Sequence, residues 1–177
     1  LARAQESAKR EAEARIKMEA EIKARLESER KAVVEAEARA KAAAAPHASP
    51  VERALIAALQ RRYADPPPAA ADQKGQAALD EAYAGAMRGV ARQFPADDDV
   101  QVLFAESMMD LRPWRLWEPD GKPAPGTDEI LATLERVLAR SPRHPGANHY
   151  YIHAVEASPH PERALASADR RNCFCDC

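Results

Sequence analysis

The sequence predicts an all-α protein, a helical-hairpin solenoid preceded by a long, charged N-terminal helix. Alanine, the best helix former, supplies 40 of the 177 residues, and the six glycines are too few for a turn-rich β fold. Beyond residue 48, proline-containing breaks separate stretches whose large apolar residues recur every three or four positions. That spacing is typical of amphipathic helices that pack against one another.

Composition and charge argue against several classes of function. The net charge of −2 gives no overall reason to expect a nucleic-acid partner. No run of 18 apolar residues is present, so we expect no membrane partner. Residues 1–30 are charged throughout and contain no signal peptide, and the start at Leu1 indicates a fragment or a processed product. All three cysteines fall within residues 173–177, which favours a reducing, cytoplasmic location.

Residues 1–45 consist mostly of Ala, Glu, Lys and Arg and contain neither Gly nor Pro. Opposite charges four residues apart, such as Glu13 with Lys17 and Glu19 with Lys23, favour one long helix. Large apolar residues are few and form no continuous heptad seam. Two alternatives therefore stay open, a solvated single helix and a coiled coil through which residues 1–45 self-associate.

Residues 49–169 are predicted to hold the helical repeats, and residues 170–177 a disordered tail. Ser49 followed by Pro50 has the residue types of a helix start, and Thr127 is predicted to cap a later helix. The predicted helices run from Pro50 to about Tyr63, Gln76 to Gln93, Asp98 to Leu111, Asp128 to Arg140, Ala147 to Ala157, and onward from Pro161. Residues 112–127 are predicted to form a long irregular loop between the third and fourth helices.

Two predicted hairpins match each other at an offset of 47 residues. The matched positions are Met87 with Leu134, Val90 with Val137, Pro95 with Pro142, Leu103 with Tyr150, and Phe104 with Tyr151. If the loop at residues 112–127 contains an insertion of about 13 residues, the underlying period is about 34 residues, the length of a helical-hairpin repeat. The offset therefore favours two stacked copies of one hairpin unit.

The helix–proline–helix segment 134–147 resembles the junction of tetratricopeptide repeats, and Glu162-Arg163-Ala164-Leu165 resembles the start of their second helix. Residues 49–169, with the stretches 110–114 and 144–153, are similar to a group of bacterial tetratricopeptide-repeat (TPR) proteins of unassigned function. The resemblance implies a non-enzymatic protein-interaction scaffold whose groove holds a partner peptide or protein. It implies no reaction and no cofactor.

The candidate partner-binding residues lie in the long loop and in the helix that follows Pro145. We predict contacts from Arg112, Trp114, Trp117, Asn148, His149, Tyr150 and His153. Exposed Trp and Arg side chains dominate interaction hot spots. The interpretation we favour for the two tryptophans is the core-filling alternative, in which both fold back onto the Met108–Met109 end of the preceding helix and supply core volume. At least one of Tyr150 and Tyr151 is expected to face the core.

A metal site is the alternative function. His149, His153 and Glu156 share one helix face, so two imidazoles and a carboxylate could ligate one ion, with His144 or His160 approaching from nearby turns. Histidines within a helical stack also serve as hydrogen-bonding or peptide-binding groups, and we favour that interpretation. We accordingly expect no metal and no cofactor. No nucleophile–base motif or phosphate-binding loop is present in the sequence.

Overall fold

The computed structural model describes residues 17–18, 20–25, 31, 47–64, 67–69 and 72–172. Over these residues the protein is all-α, with turns and one isolated bridge between Trp117 and Pro123. Most of the charged segment 1–45 lies outside them, although residues 17–18, 20–25 and 31 are helical and exposed. The coiled-coil alternative for residues 1–45 therefore stays a prediction, and so does the cysteine-containing tail, because residues 173–177 also lie outside the described residues.

Within the described residues after residue 49 there are six α-helices, each with a counterpart among the predicted helices. They are α1 (Pro50–Leu59), α2 (Gln73–Gln93), α3 (Asp98–Met109), α4 (Thr127–Arg140), α5 (Pro145–Val155) and α6 (Leu165–Asn172). Short 3-10 turns, Gln60–Arg62 and Pro161–Ala164, follow α1 and precede α6. The predicted boundary at residue 169 is too early, because α6 continues to Asn172.

The starts of two helices show where the prediction from local sequence succeeds and where it fails. At α1 the Ser49 hydroxyl accepts a 3.2 Å hydrogen bond from the Glu52 amide, and the Glu52 carboxylate accepts one from the Ser49 amide at 2.7 Å. At α4 the predicted cap, Thr127, is instead buried within the helix, and Gly126 occupies the cap position. The Thr127 hydroxyl donates a 2.7 Å hydrogen bond to the carbonyl oxygen of Leu116, so it holds the preceding loop.

The helices pack mainly against their neighbours in the chain. α2 packs on α3, α3 on α4, α4 on α5, and α5 on α6, while α3 also contacts α5. Three of the position pairs matched by the 47-residue offset are buried in both copies: Met87 with Leu134, Val90 with Val137, and Phe104 with Tyr151. The two hairpins thus bury equivalent positions in one shared core.

Polar contacts join the turn of the first hairpin to the turn of the second. The Asp98 carboxylate, at the start of α3, accepts hydrogen bonds from the Ser141 hydroxyl and from the Arg140 guanidinium. Those two hydrogen bonds, from Ser141 first, lower the pKa of Asp98. His144 Nδ1 accepts from the Ala147 amide at 3.2 Å, which leaves its Nε2 hydrogen to point at Asp99, 3.0 Å away. Both proline-containing turns therefore lie side by side.

The segment between α3 and α4 is an irregular loop, as predicted, and it folds back onto the core. Leu116 is buried, and its backbone carbonyl accepts a 2.9 Å hydrogen bond from the Ala124 amide. Gly121, with a φ of 80°, makes the turn between these two positions. Within the described part of the chain, no helix combines the length and hydrophobicity that a membrane span requires.

Candidate functional site

An open cleft of about 340 Å³ lies between the end of α3, the loop that follows it, and one face of α5. Ligand-binding clefts commonly begin at about this size. Its apolar and aromatic lining comes from Met109, Pro113, Trp114, Leu116, Trp117, Tyr150 and Ala157. Its ionisable lining comes from Glu106, Asp110, Arg112, His149, His153 and Glu156. We call this feature the aromatic cleft.

Helical spacing on α5 decides which of its residues reach the aromatic cleft. His149 and His153 are four residues apart and therefore share one face, with their ring centroids 4.8 Å apart in an edge-to-face arrangement. Tyr150 packs its ring at 5.2 Å from His149 on the same side. Tyr151 lies in the core, where its hydroxyl donates a 2.7 Å hydrogen bond to Glu135. One tyrosine thus faces the core and the other faces the cleft, as the sequence predicts.

Asn148 does not reach the aromatic cleft, and its predicted role in partner binding has no support from its position. The residue is fully buried, and its side-chain amide donates hydrogen bonds to the carbonyl oxygens of Pro142 (3.0 Å) and His144 (2.8 Å). These bonds tie α5 to the turn that precedes it. A residue one position away from a cleft-facing histidine is rotated by about a quarter turn, which here is enough to bury it.

Trp114 stands at the mouth of the aromatic cleft and is 82% exposed. Its ring meets the edge of His153 at a centroid distance of 5.7 Å. Its backbone adopts a φ of 61°, a left-handed conformation that is costly for a bulky residue. For Trp114 the core-filling alternative is therefore wrong, because the ring projects into solvent.

Trp117, unlike Trp114, does supply core volume, so the core-filling alternative is right for this residue. Its side chain is partly buried and packs against the hydrophobic core. The indole Nε1 donates a 2.8 Å hydrogen bond to the carbonyl oxygen of Ala154 in α5. One edge of the same ring still lines the aromatic cleft, so Trp117 forms a fixed wall of the cleft, whereas Trp114 is its exposed rim.

Two carboxylates, one on α3 (Glu106) and one directly after it (Asp110), also line the aromatic cleft, and sequence reasoning missed both. Asp110 forms an ion pair with Arg62 from the 3-10 turn after α1. The Glu106 carboxylate is half-buried, and no hydrogen-bond donor reaches it among the residues that the structure describes. Burial, and then the charge of Asp110, raise the pKa of Glu106. The available signal was the four-residue spacing of the two acids, which places both on one side of the end of the helix.

The four histidines considered as metal ligands do not converge. His153 Nδ1 lies 3.0 Å from Glu156 Oε1, and His149 packs against the His153 ring. His144 lies in the turn before α5, where its Nε2 is 3.0 Å from Asp99 Oδ1. His160 follows that helix, and its Nδ1 is 3.1 Å from Glu162 Oε1. Within the described ranges, no group of three histidine, cysteine or acidic side chains is arranged to hold a metal ion.

A second, more polar groove lies on the opposite side of α3, between α2 and α4. Phe104 and Gln101 face this groove, whereas Glu106 and Asp110 face the aromatic cleft, as the helical repeat of about 3.6 residues requires. Of the three arginines that line this groove, Arg88 is paired with Glu129 at 2.8 Å. The two sides of α3 therefore differ, since only the aromatic cleft combines exposed aromatic rings with an unsatisfied carboxylate.

The aromatic cleft brings together six of the seven residues predicted to contact a partner: Arg112, Trp114, Trp117, His149, Tyr150 and His153. Its rings offer apolar surface for burial, and its carboxylates offer acceptors for a donor group.

No protein-family model matches the chain, and neither a curated protein nor a solved structure matches it.

Proposed function

We propose that this protein is a non-enzymatic interaction module that binds a segment of a partner protein in the aromatic cleft. In this proposal the two hairpins, α2–α3 and α4–α5, are stacked units of a TPR-like solenoid. The equivalent buried positions of the two hairpins support that architecture, as do the polar contacts of Asp98 and Asp99 with the second turn. Turns that lie side by side are expected when hairpins stack in parallel register.

The observation that carries the proposal is the conformation of Trp114. Its side chain is 82% exposed, and its backbone has a φ of 61°. Exposure of the ring forgoes the gain from burying a large apolar surface, and the left-handed backbone adds strain of about 1–2 kcal/mol. Strained, exposed aromatic residues concentrate at binding sites, where a partner buries them. A tryptophan held in this way at the mouth of a cleft is suited to contact a partner.

Rigid surroundings favour binding by the aromatic cleft. Trp117 is fixed by its hydrogen bond to Ala154, and the Thr127 hydroxyl holds the carbonyl of Leu116. A site whose walls are already in place loses little conformational entropy when a ligand enters. The loop is thus held ready for a partner segment rather than having to order around it.

The test is a peptide-library selection on the full chain, with affinities of selected peptides measured for Trp114→Ala. We expect this substitution to weaken binding by roughly 30-fold or more, the loss typical of a hot-spot tryptophan. Leu165→Ala is the matched control, because Leu165 is also a large exposed apolar residue, at 63%, and does not line the cleft. If wild type and Trp114→Ala bind the selected peptides with equal affinity, the peptides bind at a site other than the aromatic cleft.

A further inference from the structure

The charge of the aromatic cleft predicts the charge of the ligand that binds there. Three carboxylates line it, from Glu106, Asp110 and Glu156, against one arginine, Arg112. Asp110 is already paired with Arg62 behind it. An excess of acidic groups in a partly enclosed space attracts cations and repels anions.

Glu106 is a cleft carboxylate to which the described residues donate no hydrogen bond. Its carboxylate is half-buried beside apolar and aromatic side chains, and within the described part of the chain it accepts no hydrogen bond. A carboxylate shielded from water in this way is destabilised unless a donor or a positive charge reaches it. Arg62 does not supply that charge in full, since its guanidinium contacts Asp110 and Asp80.

The aromatic rings complete the requirements of a cation site. Trp114 and Trp117 are the two tryptophans of the chain, and both line the aromatic cleft together with Tyr150. The faces of such rings attract ammonium and guanidinium groups, and tryptophan does so most strongly. The same rings pack against the aliphatic stem of a long basic side chain.

We infer that the aromatic cleft takes a basic side chain, arginine or lysine, of the partner segment, with its cation held by the Glu106 carboxylate and the aromatic rings. This inference rests on the proposed function and names the chemistry of its ligand. The partner segment is therefore basic where it enters the cleft. Its charge satisfies Glu106, and its stem covers part of the exposed surface of Trp114.

The experiment titrates the full chain with N-acetylarginine amide, N-acetyllysine amide and the neutral analogue N-acetylcitrulline amide, and follows tryptophan emission. Both tryptophans line the cleft, so emission reports its occupancy. We expect the two cationic amides to bind about tenfold more tightly than citrulline amide. Glu106→Gln is expected to remove most of that difference, since glutamine keeps the shape and loses the charge.

Two further variants keep the result interpretable. Glu118→Gln is the charge-matched control, because Glu118 is exposed in the same loop and does not line the cleft; its arginine affinity should equal that of wild type. Trp114→Leu tests the ring without disturbing the fold, since Trp114 is largely exposed, and it should weaken arginine binding while Trp117 still reports it.

The outcomes separate the two proposals. Equal affinity for arginine and citrulline amides, or no effect of Glu106→Gln, overturns the inference and leaves the interaction module standing. The inference also fails, and the interaction module again stands, if the selected peptides bind the cleft without a basic residue. Arginine-amide binding without any cleft-dependent peptide from the library overturns the proposed function, because the cleft would then serve a free amine.

Discussion

The indole nitrogen of Trp117 donates a 2.8 Å hydrogen bond to the carbonyl oxygen of Ala154, 37 residues away. Ala154 is the penultimate residue of α5, and the last carbonyls of a helix have no partner within it. The loop after α3 therefore supplies a donor that α5 lacks. This bond fixes the distance between two walls of the aromatic cleft.

Replacing Trp117 with Phe should destabilise the fold. The carbonyl of a fully buried residue, Ala154, would lose its donor, and the smaller ring would leave space beside the core. We expect a loss of about 1–3 kcal/mol in the free energy of unfolding, measured by urea denaturation. Trp114→Phe is the matched control and should change stability by less than about 0.5 kcal/mol, because Trp114 is exposed. If both variants lose the same free energy of unfolding, Trp117 is not the fixed wall and Trp114 is not the exposed rim that we describe.

Trp114→Gly should be more stable than Trp114→Ala. Residue 114 has a φ of 61°, which glycine adopts without the steric cost that a Cβ atom brings. We expect the glycine variant to exceed the alanine variant by about 1 kcal/mol in urea denaturation. Both variants lack the ring, so the comparison isolates the backbone. A more stable alanine variant would show that this backbone is not strained.

Gly126→Ala should weaken the start of α4. Gly126 has a φ of 94°, and an added Cβ atom would lie 3.1 Å from the Met108 terminal methyl. We expect a loss of about 1–3 kcal/mol in thermal or urea unfolding.

Gly85→Ala is the control for that substitution. Gly85 lies within α2, and its added Cβ atom would meet no other atom within 4 Å. Alanine there should stabilise the protein by about 0.5–1 kcal/mol, since it has the higher helix propensity. The two substitutions should change the free energy of unfolding in opposite directions. A loss of stability in both would contradict the argument.

The raised pKa of Glu106 predicts a specific pH dependence of stability. Burial raises the pKa of this carboxyl above its usual 4.5, with smaller effects from Asp110, which adds to the rise, and Arg62, which opposes it. Tyr83 and Tyr150 face the same charge. Because protonation is easier in the folded state, Glu106 costs stability above the raised pKa, and the cost disappears as the pH falls toward 4.5.

Glu106→Gln should therefore be more stable than wild type at pH 7, by less than about 1 kcal/mol, because Glu106 is only half-buried and water screens its charge. The advantage should stay constant above the raised pKa and shrink as the pH falls through that pKa toward 4.5. The lowered pKa of Asp98 acts in the opposite sense, since its contribution is lost as the pH falls through that lowered pKa. Both proteins share Asp98, so the difference between their urea-denaturation curves cancels its effect. A pH-independent difference would rule out the role assigned to Glu106.

The local sequence was enough to predict the all-α class and the helices that follow residue 49. Ser49 and the proline-containing breaks mark helix ends through capping and the missing proline amide, effects that act within one turn of the chain. The 47-residue offset also identified equivalent positions, since Met87 and Leu134 are both fully buried. Thr127 was misassigned because its hydroxyl bonds to Leu116, a contact that no local pattern encodes.

The sequence by itself determined the helices, their order and the residues that share a helix face, because these follow from local propensity and helical periodicity. Only the tertiary structure decided that Asn148 is buried, that Trp117 is a wall and Trp114 a rim, and that Glu106 faces the aromatic cleft. Periodicity groups residues onto faces, but the neighbouring helices determine whether a face meets the core, a cleft or solvent. The long-range packing of α3, α5 and the intervening loop therefore set the site.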